Sequence, residues 1–287
     1  MPQKIYSFGD MQVEKSKRIT QESIKLESAH LDRTVQVDLY FTGGAIAPDN
    51  RASLLPDTSL LLINDGQDME KLGLADLLDD LCGQGLLSPL LCAGIHAGPE
   101  RIMEYGTVPT PDCQGRGARA ADYTRCILEE VLPAIRQKYK VAGFREKAFA
   151  GFSLGALSAM DIVWHHPQEF TRAGLFSGSF WWRTRDKTDP QYNELTDRIM
   201  QCQVRNGEYY PWLKFFFECG TEDEQEDRNG NGIIDSIDDT QDLIKELMAK
   251  GYVPERDIRY LEIEGGRHDV ATWALAMPEF LKWGWGK

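Results

Sequence analysis

The sequence predicts a single α/β domain over residues 1–287, built on a mostly parallel central sheet with helices on both faces and antiparallel strands at its N-terminal side. Three observations point there. In residues 34–41, Val35, Val37 and Leu39 alternate with polar residues, the period of a half-buried strand. Short continuous apolar runs then take over at residues 60–63, 90–95, 148–150, 173–176, 213–217 and 258–263, as strands covered on both faces require. Helical periods lie between the runs, and no linker, repeat or low-complexity tract divides the chain.

Taken in order, Ile24 and Leu26 belong to a strand before 34–41, giving two to three leading antiparallel strands. A polar loop follows at residues 48–56, between Pro48 and Pro56. Tyr123, Ile127, Val131, Leu132 and Ile135 recur near the 3.6 period and predict a helix over 123–139, interrupted by Pro133. Residues 154–164 and 243–248 are apolar and bounded like helices, and a further one over 270–281 follows the last strand.

Composition narrows the function. Hydrophobic residues at 42% and aromatics at 10% suffice for a packed core and exclude global disorder. With 32 basic and 45 acidic residues the net charge is −13 and the pI near 4.9, which argues against nucleic acid and anionic membranes as partners. Much of this acidity is local: residues 221–242 hold nine carboxylates against Arg228 alone. The six cysteines are scattered without a C-x-x-C pair and read as reduced thiols. Residues 1–10 lack the apolar stretch of a signal peptide and no run approaches the ~20 apolar residues of a span, so a cytoplasmic location is expected. The oligomeric state is not encoded in any pattern.

Gly151-Phe152-Ser153-Leu154-Gly155 is a G-x-S-x-G between an apolar strand and an Ala-rich helix. A serine on such a strand-to-helix turn exposes its Oγ at the carboxyl edge of a sheet, and the flanking glycines make room for the turn. The next backbone N–H, that of Leu154, then points at a bound carbonyl oxygen, helped by the positive end of the helix. A base should follow. His165 and His166 end the helix before Pro167, which leaves His268 in the glycine-rich loop after the last strand. An acid that orients it should follow the strand at 213–217, where Glu222, Asp223 and Glu224 stand in a row and spacing does not choose among them.

These motifs, with Asn64-Asp65-Gly66-Gln67-Asp68, Phe176-Ser177-Gly178-Ser179-Phe180-Trp181-Trp182, the G-x-x-D from Gly220 to Asp223, and Gly266-x-His268 with Trp273, resemble the putative esterase family. That family gathers enterochelin-esterase-like and S-formylglutathione-hydrolase-like enzymes of the α/β-hydrolase fold, and the resemblance covers roughly residues 20–286. It implies the α/β-hydrolase fold, hydrolysis of a small-molecule carboxylic ester through an acyl-enzyme, and no organic cofactor. It implies Asp223 as triad acid, with Glu222 second, and the backbone N–H of Gln67 as the second oxyanion donor. Ala156 departs from the glycine of many relatives. An acyltransferase with the same triad, or a non-catalytic calcium-dependent binding protein on this fold, are the alternatives.

A second pattern lies just past the acid. From Asp227 to Asp238, oxygen side chains at Asp227, Asn229, Asn231, Asp235 and Asp238, with Gly232 sixth and the Ile233 carbonyl seventh, reproduce EF-hand loop spacing, with Asp238 in place of the usual Glu. A structural Ca²⁺ is expected there. Arg101, Glu104 and Tyr105 after the strand at 90–95, and Trp181 and Trp182 after that at 173–176, should reach the substrate rim, since ligands of open α/β sheets bind at the carboxyl ends of strands.

Overall fold

A computed structural model describes residues 18–43, 57–108 and 110–287; residues 1–10 and the polar loop at 48–56 lie outside these. Eight strands form one sheet: β1 (Thr20–Ser28), β2 (Arg33–Phe41), β3 (Ser59–Asn64), β4 (Leu90–Ile95), β5 (Lys147–Phe152), β6 (Arg172–Phe176), β7 (Lys214–Glu222) and β8 (Ile258–Arg267). Their spatial order is β1-β2-β4-β3-β5-β6-β7-β8, with β1 and β2 antiparallel to their neighbours and the rest parallel. This is the predicted α/β-hydrolase arrangement. From β3 the chain crosses to β4 on one side and to β5 on the other, so the order reverses between β3 and β5, where such sheets open a crevice.

The helices are α1 (Leu74–Gly83), α2 (Ala120–Arg125), α3 (Leu132–Tyr139), α4 (Leu154–His165), α5 (Ile199–Asn206), α6 (Asp235–Lys250) and α7 (Val270–Trp285), besides short turns at Arg101–Glu104 and Glu194–Asp197. Alternation along each strand splits the core. Leu60, Leu62, Phe149, Phe215 and Phe217 face one layer with α4, while Leu61, Ile63, Phe152, Phe176 and Phe216 face the other with α1 and α7. Among the described residues no helix is long and apolar enough to cross a membrane, and all six cysteines are free.

Three elements differ from the sequence expectation. The helix expected over 123–139 starts at Ala120 and passes from α2 to α3 through a wider π turn, Cys126–Val131. That register change falls just ahead of Pro133, which has no N–H to offer the preceding turn. β7 runs on through the polar Glu218 to Glu222, because β8 continues alongside it as far as Arg267. Finally, α6 begins at Asp235 rather than near Thr240, where the sequence places the start of the helix carrying the apolar stretch 243–248; its first turn holds Asp235 and Asp238, where the helix dipole favours negative charge.

The seat of α7 depends on a missing side chain. A Cβ on Gly174 in β6 would lie 2.5 Å from the Phe280 ring, so the ring packs directly on strand backbone. Gly174→Val should push Phe280 out and cost about 1–3 kcal/mol, read as a lower urea midpoint at unchanged m-value.

Candidate active site

Ser153 stands where β5 turns into α4, half-buried, with φ 55° and ψ −122°. A non-glycine residue holds such a conformation only when its surroundings impose it. Here the surroundings are close contacts at the two flanking glycines. A Cβ on Gly151 would sit 2.3 Å from the Gly155 carbonyl oxygen, and one on Gly155 would meet Asp65 Oδ2 at 2.8 Å and Asn64 Cβ at 3.0 Å. The Ser153 N–H donates to the Phe176 carbonyl (2.9 Å), and its own carbonyl accepts from Ala156 (3.1 Å) and Ser179 (3.2 Å). Its Oγ lies 3.5 Å from that of Ser179.

Two backbone segments expected to carry donors follow from the elements around it. Leu154 opens α4 and has no intrahelical acceptor for its N–H. Gln67 lies in the tight turn Gly66–Asp68 that leaves β3, the strand next to β5. That turn is fixed from several sides. Asp65 has φ 61°, its N–H donates to Tyr105 Oη (3.3 Å), and its carboxylate takes a two-pronged pair from Arg101 (2.6 and 2.8 Å). Asn64 Nδ2 donates to the Gly155 carbonyl (2.7 Å), and Tyr123 donates to Asn64 Oδ1. Gln67 Oε1 accepts from the Ala97 N–H (3.0 Å). A cavity of about 630 Å³ adjoins it, lined by His96, Asp38 and Gln36.

His268 lies between the end of β8 and α7, whose N-cap Asp269 accepts from the Thr272 N–H (2.9 Å). The imidazole meets Trp273 edge-on at 5.5 Å between centroids. Partial burial holds it below its ordinary value; Arg101 acts the same way, while Asp223 and Asp269 favour the charged form. Among the described residues His268 hydrogen bonds to neither Ser153 nor Asp223; with Asp223 it interacts through charge.

Of the three carboxylates after β7, Asp223 is the one whose charge acts on His268. Burial raises the Asp223 pKa above the usual carboxylate value, opposed by the Ser177 hydroxyl and by His268. Glu222 instead pairs with Arg267 at 3.1 Å on the exposed side, and Glu224 is half-buried near Asp235 and Asp239. His165 turns back along α4 to the Asp161 carbonyl, 2.9 Å away.

The expected rim needs correction. Glu104 is fully buried in an ion pair with Arg33 (2.6 and 2.8 Å), Tyr105 is fully buried beneath the Asp65 turn, and Trp182 packs under Gly106 and Gly117. All three are therefore buried rather than presented at a rim. Arg101 and Trp181 keep partial exposure, Trp181 lying 4.9 Å from the Arg116 guanidinium over a cavity of about 380 Å³. Residues that sequence reasoning passed over are Tyr123, Ser177, Ser179 and Glu218. Only Ser177, Ser179, Asn64 and Asp65 gave a signal, as members of quoted motifs.

Past the acid, the side chains of the 227–238 loop turn inward. Asp227 accepts from the N–H groups of Asn231 (3.1 Å) and Gly232 (2.9 Å), and Asn231 Oδ1 accepts from the Ile233 N–H (2.7 Å). Asn229 and Asn231 both donate to Asp238 Oδ2 (2.7 and 2.9 Å). Gly232 has φ 84°, the turn that loop needs. Asp235 is drawn instead to the Arg228 backbone (2.8 Å). Among the described residues no three His, Cys, Asp or Glu side chains form a metal cluster; the gathered donors are carboxylates mixed with amides.

Comparison with known proteins agrees with this architecture. The chain is 26% identical over 267 residues to the iron(III) enterobactin esterase of Dickeya dadantii, an alignment that takes in 90% of this chain and 53% of that one. It therefore spans about half the length of that relative. The enterobactin esterase of Shigella flexneri, solved in the presence of enterobactin, superposes with a TM-score of 0.68 at 20% identity, over 92% of this chain and 58% of the other. A siderophore hydrolase of Aspergillus nidulans superposes with a TM-score of 0.61 at 15% identity, over 98% and 99%. At such identities the structures speak for the fold. The sequence profile of the putative esterase family matches residues 48–283, most of the chain, and the protein belongs to that family.

Proposed function

We propose that the protein hydrolyses a small-molecule carboxylic ester through an acyl-enzyme on Ser153, with His268 as general base and Asp223 as its orienting carboxylate. The observation that supports this most is the strained Ser153 at the head of α4, beside a turn from the adjacent strand with a free N–H. Ser153 Oγ attacks the ester carbonyl and its proton passes to the imidazole. The oxygen that becomes negative is stabilised by the Leu154 and Gln67 N–H groups and by the end of α4. The imidazolium, facing the Asp223 carboxylate, returns its proton to the departing alcohol. Water then repeats the sequence and frees the acid. The names of the relatives direct the first substrate screen to siderophore-type esters.

The 227–238 loop has the donor chemistry for a hard cation. Asp227, Asn229, Asn231, Asp235, Asp238 and the Ile233 carbonyl would hold Ca²⁺, which would offset the local acidity and tie the segment bearing Asp223 to α6. It would take no part in the reaction.

Ser153→Ala should lower kcat/KM for p-nitrophenyl esters by at least about 10³-fold and abolish fluorophosphonate labelling; a variant that turns over and labels like wild type would refute the triad. The pH profile tests His268. A base acts when neutral, so a lowered imidazole value places the acidic limb of kcat/KM below the ordinary histidine range. Arg101→Gln removes a cation and leaves the Asp65 carboxylate unpaired, and both changes favour imidazolium. The acidic limb should move to higher pH. For the loop, saturating Ca²⁺ should raise Tm and a chelator should reverse it, with about 3 kcal/mol gained at one hundred times Kd. Asp227→Ala should remove the response.

A further inference from the structure

β7 carries a buried acid that the proposed mechanism does not use. Glu218 is 0% exposed, lies between Phe176 of β6 and Leu261 of β8 in register, and neither of its carboxyl oxygens has a hydrogen-bond partner among the described residues. An ionised carboxylate in such a place has lost its water with nothing in return. Burial, and next the Asp223 charge, push Glu218 up to about 8, so the neutral acid prevails at pH 7.

The backbone places the two carboxyl groups together. Glu218 and Gly220 are two residues apart in the strand and share a face, about 7 Å apart along it. Asp223 folds back over that face: its Oδ1 lies 2.7 Å from where a Gly220 Cβ would be. Both Asp223 oxygens are also buried without a hydrogen-bond partner of normal geometry. Two acids therefore occupy one side of one strand end. Two charges there would repel, whereas one proton between them serves both.

Of the remaining neighbours, the Ser177 hydroxyl reaches Asp223, but it is a single donor beside two carboxyl groups. Ser177 of the β6 exit has its hydroxyl near Asp223 and accepts there from Trp273 Nε1 (2.9 Å). His268 and Asp269, ahead of α7, and Arg101, from the β4 side, act on Asp223 or His268. Cys219 points to the opposite face, toward Thr240 (3.3 Å). From β8 and α7 the pair meets Leu261 and Trp273, which carry no titrating group.

We propose that Glu218 is a positioning residue: its carboxylic acid donates to the Asp223 carboxylate, directly or through one water, and holds it facing His268. This rests on Asp223 being the triad acid. One negative charge, spread over two carboxyl groups, then faces the imidazolium. As Glu218 ionises, Asp223 loses its donor and gains a repelling neighbour.

The test is kcat/KM of the full chain for p-nitrophenyl acetate from pH 6 to 10, with Tm over the same series from pH 5, for wild type, Glu218→Gln and Glu218→Leu. Wild-type kcat/KM should decline as pH rises through about 8. Glu218→Gln keeps a donor at every pH; it should stay within about 3-fold of wild type at pH 7 and lack that decline, while Glu218→Leu should lose about 10-fold at pH 7. The stability sign is opposite to that of a paired carboxylate. The unfolded chain ionises near 4.5 while the native one stays neutral to about 8, so wild-type Tm should fall relative to Glu218→Gln across that window. The same decline in wild type and Glu218→Gln would overturn the proposal, as would a fully active Glu218→Leu. Asp223→Asn separates the two levels. If it retains wild-type kcat/KM, the triad acid is misassigned and the positioning role falls with it, while the Tm gap reports independently whether Glu218 is neutral.

Discussion

With any side chain at position 155, the head of α4 could not lie against Asn64 and Asp65, where a Cβ would already be 2.8 Å from a carboxylate oxygen. That close approach of the α4 backbone to the Asn64 and Asp65 side chains is the constraint from which the crevice follows. It brings the exits of β3 and β5 together, lets Asn64 reach the Gly155 carbonyl, and holds Ser153 in a conformation that costs on the order of 1–3 kcal/mol. Strain of this size persists only where the surroundings leave no alternative. Here those are buried hydrogen bonds and glycine contacts rather than side-chain packing, which adjusts more readily.

Charge is arranged with the same economy. Arg101 fixes the Asp65 turn through its two-pronged pair and, from that position, opposes protonation of His268. Glu104, three residues further on, is paired instead with Arg33. Beyond the acid, Arg228 reaches Glu194 (3.2 Å) and Asp239 (2.8 Å), and Arg198 reaches Asp239 (3.0 Å) and Asp242 (2.9 Å). The segment before α5, the 227–238 loop and α6 are thus joined by one largely buried ionic network. Breaking a single partner in it would strand a charge away from water.

How much could be seen in the sequence varied with range. The parallel strands were legible because each is an unbroken apolar run, and Ser153 because its motif is local and sits between two recognisable elements. The end of β7 was not, since Glu218, Thr221 and Glu222 are polar and only the pairing with β8 makes them a strand. Nor was the rim: Glu104 and Trp182 look like surface residues until Arg33, seventy-one positions earlier than Glu104, and the glycines at 106 and 117 are brought against them. The choice among Glu222, Asp223 and Glu224 is likewise a matter of which way each points, fixed by Arg267 and His268 from a distant segment.

Trp273 touches three parts of the site at once. Its indole stacks on Phe152, one residue before Ser153, at 4.9 Å, donates to Ser177 at 2.9 Å, and presents its face region to His268. Substitutions at these positions share a partner, so their energetic effects should not add, and a change tolerated at one will depend on the residues at the others. A substitution at position 268, at the β6 exit or in the strand beneath Ser153 is therefore felt at the other two through one ring.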